Sequence, residues 1–90
     1  MTHPLFKAIQ QIETEEEFLE LLEFTFTEKE RQMIIERWRI FQATDRGLSQ
    51  REVAKHVNCS VATATRGAKA YRKSADKIKY WLSIMNDDLQ

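Results

Sequence analysis

The sequence predicts an all-α fold of about six helices, and three observations carry that reading. Three S/T-x-x-E pairs, Thr14 with Glu17, Thr27 with Glu30 and Ser49 with Glu52, each mark a helix start. In such a pair the hydroxyl accepts from the third backbone N–H and the carboxylate reaches back to the cap. Apolar residues after each pair recur at three- and four-residue spacing, the period of a helix face. Residues 49–67 add two short helical patterns separated by a tight turn.

Taken in order, residues 1–3 are expected to fray. Pro4 suits a first helical position, and Leu5, Phe6, Ile9 and Ile12 carry a helix to about Glu13. The Thr14 box starts a second helix, running to about Glu23, whose Glu15-Glu16-Glu17 run complements its positive end. Phe24-Thr25-Phe26 reads as a short break. The Thr27 box starts a third helix, Glu28 to about Thr44. Its apolar residues Met33, Ile34, Ile35, Trp38, Ile40 and Phe41 cover more than one stripe, so burial on several sides is expected. One short chain has too little else to cover it, which implies a homodimer. Arg37 and Arg39 interrupt this surface and call for anionic partners, such as the preceding glutamates.

Asp45-Arg46-Gly47 ends the third helix, with Gly47 just past its end. The Ser49 box starts a fourth, with Val53, Ala54 and Val57 on its inner face. Asn58 suits a left-handed turn, and Ser60 caps a fifth helix from Val61. Ala64 and Ala68 face inward on that helix; Thr63, Thr65, Arg66 and Lys69 lie on or near its outer faces. After Tyr71, Arg72-Lys73-Ser74 reads as a short connection. Ile78, Trp81, Leu82 and Met85 give the sixth helix an amphipathic face. Trp38 and Trp81 are expected in the core, and Asn86 to Gln90 are expected to be loose. Three segments follow: core helices over 1–45, a two-helix reading head over 46–73, and a packing helix over 74–90.

Ninety residues make one small domain or one subunit. With Cys59 as the single cysteine there is no disulfide framework. No apolar run approaches membrane-spanning length and no signal peptide is visible, so a cytoplasmic protein without a membrane partner is expected. The net charge of zero hides an asymmetry: residues 1–30 carry a net −6 and residues 31–90 a net +6. Nine bases and two acids lie between Arg46 and Lys79, over the two-helix motif, as phosphate attraction requires. Catalysis is not indicated. There is no nucleophile–base pairing, metal-ligand spacing or phosphate loop; His3 and His56 lie far apart, and Cys59 suits a small filler. Gly67, inside a helical pattern at about 1 kcal/mol against Ala, implies close approach of either a neighbouring helix or a flat ligand.

Leu48-Ser49-Gln50-Arg51-Glu52 and Ala62-Thr63-Ala64-Thr65-Arg66-Gly67 resemble the signature of the Trp repressor family. The resemblance runs back through Phe24–Arg31 and Arg37-Trp38-Arg39-Ile40, and forward through Trp81-Leu82. It covers roughly Leu21 to Met85. It implies an intertwined all-helical homodimer with a helix-turn-helix reading head on each subunit, L-tryptophan as corepressor, and operators controlling tryptophan biosynthesis or related genes. No other cofactor is implied. The indole would lie between Arg37 and Arg66. Thr27 would help hold the ligand, the carbonyls of Phe24 and Phe26 would accept from its ammonium, and Thr63 and Gly67 would line the pocket. A serine of the family pattern is Ala70 here. Ala54 replaces a DNA-contacting lysine, with Lys55 adjacent, and the turn after Gly47 is one residue shorter.

Toward double-stranded DNA, Gln50 and Arg51 open the first motif helix, while Val61, Ala62, Thr63, Thr65 and Arg66 line the start of the reading helix, with Lys69 on its outer side. Arg51 is the candidate for a bidentate guanine contact; Ser49, Gln50, Lys55, Thr65 and Arg72 suit phosphates. In the Trp repressor itself most base contacts run through water. The resemblance implies an allosteric device in which the ligand sets the tilt of heads that must enter grooves about 34 Å apart. Two rival readings remain open. One is a regulator of the same architecture with another ligand or none. The other is a sigma-factor-like promoter-reading module.

Overall fold

The computed structural model describes residues 1–85; the expectation for Asn86 to Gln90 lies outside the described residues. Among these there are six helices and no strand: α1 (Pro4–Gln10), α2 (Glu15–Thr25), α3 (Glu28–Asp45), α4 (Gln50–Val57), α5 (Val61–Lys73) and α6 (Ala75–Met85). The fold is all-α as expected. The chain forms two compact units, Met1–Gln32 and Met33–Gln90.

In the first unit, α1 begins at Pro4 as the sequence predicts. The Leu5 N–H donates to His3 Nδ1 at 3.1 Å, so His3 caps the helix. α1 ends three residues before the expected Glu13 because the next helix claims them. Thr14 is extended as the cap of α2 and accepts from the Glu17 N–H, while the Glu13 N–H donates to Glu17 Oε1 at 3.3 Å. Helix α2 runs on through Phe24 and Thr25, where a break was expected. Thr25 stays helical by donating its hydroxyl to the Leu21 carbonyl at 2.6 Å, and only Phe26 turns extended. At Thr27 the capping box of α3 is complete, with the Thr27 N–H on Glu30 Oε1 at 2.9 Å and the Glu30 N–H on Thr27 Oγ1 at 3.1 Å.

The second unit is built on the C-terminal half of α3. Ile40 and Ala43 pack with Val53 and Ala54 of α4 and Ala64 of α5, flanked by Leu48, Val57 and Cys59. Phe41, about 100° round the helix from Ile40, packs instead with Tyr71 of α5 and Ile78 and Leu82 of α6. Trp38 and Phe41 meet edge to face at 5.1 Å. α5 therefore touches both clusters, and its inner face is made of small residues: Ala64, Gly67 and Ala68 are all buried. A Cβ on Gly67 would stand 2.5 Å from Ile40 Cγ2. The neighbour that requires this glycine is helix α3.

Two expectations need correction. Trp81 is not in the core of the chain: it is 52 % exposed, edge-on to Tyr80 at 5.2 Å. Helix α6 buries Ile78 and Leu82, and Trp81 sits too far round to join them. Of the six apolar residues of α3, Ile40 and Phe41 are buried within the chain, while Met33, Ile34 and Ile35 lie on its surface. The α5–α6 connection is one residue, not three. Arg72 and Lys73 are helical, and the Ser74 carbonyl already accepts from Ile78 N–H.

Candidate nucleic-acid interface

The two-helix motif is assembled by local hydrogen bonds. Ser49 and Glu52 form a complete capping box, with bonds of 2.9 and 3.2 Å, and these hold the Glu52 carboxyl below its usual range. Asn58 closes α4 at φ 66°, ψ 53°, the left-handed conformation that asparagine tolerates. Ser60 caps α5 by accepting from the Thr63 N–H at 3.0 Å. Val53 and Ala54 then bury against α5, which fixes the angle between the helices.

The outer surface carries most of the residues expected to meet DNA. Ser49, Arg51, Lys55, Val61, Ala62, Arg66, Lys69 and Arg72 are all exposed. At the start of α5 three side chains form one polar string. Thr63 Oγ1 accepts from Ser60 Oγ at 2.8 Å and from Arg66 Nη2 at 3.2 Å. Both bonds bring donors to Thr63 Oγ1, which leaves its own hydroxyl as a donor. Val61, 49 % exposed at the helix tip, offers an apolar surface that suits a thymine methyl.

Two residues expected at phosphates, Gln50 and Thr65, are bonded to each other in the free chain. Gln50 and Thr65 are half-buried and bonded at 3.0 Å, while Thr65 Oγ1 also donates to the Val61 carbonyl at 2.8 Å. The single Thr65 hydroxyl proton is thus shared between two acceptors, Gln50 Oε1 and the Val61 carbonyl. Gln50 thereby braces the start of α4 against α5. The Ser49 hydroxyl is similarly engaged as a cap. Ala54, standing where the family pattern has a lysine, is 6 % exposed; the exposed cation here is Lys55.

The expected ligand residues fall in both units. In the second, Arg66 adjoins Gly67 at the point where α5 crosses Ile40, and Arg37 lies one turn before Ile40 on α3. Arg37 is exposed, and its guanidinium lies 5.1 Å from the centroid of the Phe41 ring, so its close partner is a π face rather than a carboxylate. Thr63 is half-buried. Ala70 is half-buried against the Phe41–Tyr71 cluster. In the first unit, the Phe26 carbonyl accepts from Arg31 Nη1 at 2.5 Å, so any ligand cation there meets a guanidinium already in place. The Phe24 carbonyl lies in the last turn of α2, where carbonyls lack helical partners. Its ring is 78 % exposed. The Thr27 hydroxyl is occupied as a cap.

One strong contact was invisible in the sequence. The buried Tyr71 hydroxyl donates to Asp45 Oδ1 at 2.5 Å, linking residues 26 apart in the chain. Burial, this bond and the nearby Asp45 and Asp76 carboxylates push the phenol up to about 12.

Among the described residues, no group of His, Cys, Asp and Glu is placed to hold a metal, and no helix is long and apolar enough to cross a membrane. No solved structure matches the chain. The model of the family described as Trp repressor protein matches residues 2–86, which takes in α1 as well as the two-helix motif. A basic outward face on a capped two-helix motif and a family match over nearly the whole length agree: this chain belongs to the Trp repressor family of helix-turn-helix DNA-binding regulators.

Proposed function

We propose that the protein is a homodimeric repressor whose affinity for operator DNA is raised by L-tryptophan, acting on genes of tryptophan biosynthesis or related functions. The observation that carries the ligand half is the α3–α5 crossing. Gly67 brings the reading helix onto Ile40, with Arg66 beside the glycine and Arg37 one turn before Ile40. Two arginine residues that flank one crossing in the sequence of their helices suit a ligand with a flat ring and a carboxylate, since guanidinium stacks on one and pairs with the other. Arg66 also bonds Thr63 at the tip of the reading helix, so a ligand that repositions Arg66 acts on the DNA-facing surface. It raises DNA affinity only as far as it binds the DNA-competent state more tightly.

The dimer is supported by exposed apolar side chains. Met33, Ile34 and Ile35 on α3 and Trp81 and Ile84 on α6 are too many large apolar groups to leave in water. A second subunit covers them at least cost, because isologous contact needs only one self-complementary surface.

Calorimetric titration with L-tryptophan, alone and with a duplex selected from random sequence, tests the corepressor role. No heat together with unchanged duplex affinity ends that role and leaves DNA reading intact. The same regulator with another ligand, or none, is the second reading. Ala70 supplies no hydroxyl, and Arg37 already rests on Phe41. A thermal-shift panel of amino acids and indole acids separates the two.

A further inference from the structure

We propose that Asp45 and Tyr71 form a clamp that sets the pose of the reading head and thereby its discrimination between DNA sequences. Asp45 is the last residue of α3, where the chain enters the head; Tyr71 lies in the last turn of α5, where the chain leaves it. Their hydrogen bond joins the entrance to the exit. All the residues expected to face DNA except Arg72, from Ser49 to Lys69, lie within the loop it closes.

The bond has an energetic reason to be kept. An aspartate at a helix C-terminus faces the negative end of the dipole and is disfavoured there. A donated O–H offsets that, and a bond to a charged acceptor is stronger than a neutral one. The Tyr71 ring is fixed on its other side by Phe41, 6.5 Å away at 43°, so the hydroxyl cannot swing to water without unpacking the ring. The head also rests on α3 through the Ile40–Gly67 contact and through aliphatic packing against Ile40 and Ala43. Such surfaces resist separation more than they resist rotation. A directional bond at the base of the head supplies what they lack.

Reading bases demands a fixed pose, whereas attraction to phosphates tolerates a range of poses. Loosening the clamp therefore lowers affinity for a preferred sequence and spares affinity for any other. Tyr71→Phe removes the hydroxyl and keeps the ring. At fixed salt it should weaken binding to a duplex selected with the wild-type chain by about tenfold, the scale of one hydrogen bond to a charged group. A scrambled duplex should bind as before. Asp45→Asn and Asp45→Ala make the same change of charge, but only asparagine keeps an acceptor. Asn should retain discrimination and Ala should lose it, and Tyr71→Phe should cost nothing further on the Ala background. The Asp45 pair keeps the test decisive should Tyr71→Phe fold poorly, because Asp45 is exposed. Equal losses on both duplexes, equal behaviour of the Asn and Ala variants, or wild-type discrimination in Tyr71→Phe would each overturn the clamp.

Discussion

Gly67→Ala asks directly why a glycine interrupts the reading helix. In an open helix the change is stabilising by about 1 kcal/mol, because alanine gives up less backbone entropy. Here the new methyl would meet Ile40 Cγ2 at 2.5 Å, Cβ at 3.2 Å and Cδ1 at 3.4 Å. Carbon atoms rest at about 3.5–4.0 Å, so the closest contact is short by about 1 Å. Ile40 cannot give way easily. It is 2 % exposed, branched at Cβ, and held by the helix to one strongly preferred rotamer. Either α5 moves or Ile40 leaves its well, and overpacking of this kind costs about 1–3 kcal/mol. The upper part of that range applies, so the net effect is a loss of about 1–2 kcal/mol. In a chain of this size each kcal/mol lowers Tm by roughly 4–8 °C. Urea denaturation at one fixed protomer concentration measures it, since an oligomer's stability depends on concentration. Ile40→Ala alone should cost about 2–5 kcal/mol, but it removes the two overlapping atoms beyond Cβ. On that background Gly67→Ala should be neutral or stabilising. Stabilisation of the otherwise unchanged protein by Gly67→Ala would falsify the close-packing explanation and return the glycine to the ligand.

Three further outcomes follow from the same geometry. The Tyr71 phenol, pushed up to about 12 against an ordinary value of about 10, favours the fold while it is neutral. Its contribution is complete below pH ~10 and drains away as pH rises to ~12; urea midpoints across that window should fall in the wild type and lack this step in Tyr71→Phe. Asn58 sits at φ 66°: Asn58→Ala should cost about 1 kcal/mol and Asn58→Gly little, by thermal denaturation. On the DNA side, Lys55→Ala should weaken all duplexes alike and reduce the salt slope by about 1. Arg51→Ala should fall hardest on the selected duplex, by about 1–3 kcal/mol in a filter-binding or anisotropy titration.

Helix starts were legible because their chemistry is local. Thr27, Ser49 and Ser60 each act within three residues, and their partners stand in the sequence beside them. Helix ends were less legible because competition decides them: α1 stops early for the Thr14 cap, and α2 runs on because Thr25 bonds back to Leu21. Which residues of the two-helix motif point outward was legible from periodicity. What they do was less so, since Gln50 and Thr65 have their polar groups turned on each other across 15 residues. The Asp45–Tyr71 bond could not be read at all, since neither residue type nor spacing marks a pair 26 apart. Trp81 and Met33 show the remaining gap. Apolar spacing identifies a face to be covered, but not whether this chain or another covers it.

Ala70 bears most directly on the choice between the two ligand readings, and the structure supplies a reason for it that involves no ligand. The side chain packs on the cluster of Phe41, Tyr71, Ile78 and Leu82, an apolar surface. A hydroxyl placed there needs a partner or pays for its desolvation. On such an apolar surface a methyl fits whatever the effector is, so the missing serine hydroxyl does not by itself argue against tryptophan. Ala70→Ser separates packing from ligand recognition. In the free protein it should be neutral or slightly destabilising by urea denaturation. If an ammonium lies near residue 70, the added acceptor strengthens L-tryptophan binding by about 1 kcal/mol, roughly fivefold in Kd by calorimetry. Indole-3-propionate, which has the ring and carboxylate but no amine, serves as the control and should gain nothing. A gain for both compounds, or for neither, would mean that residue 70 does not see the amine, and the effector would then have to be sought among ligands recognised by Arg37 and Arg66 alone.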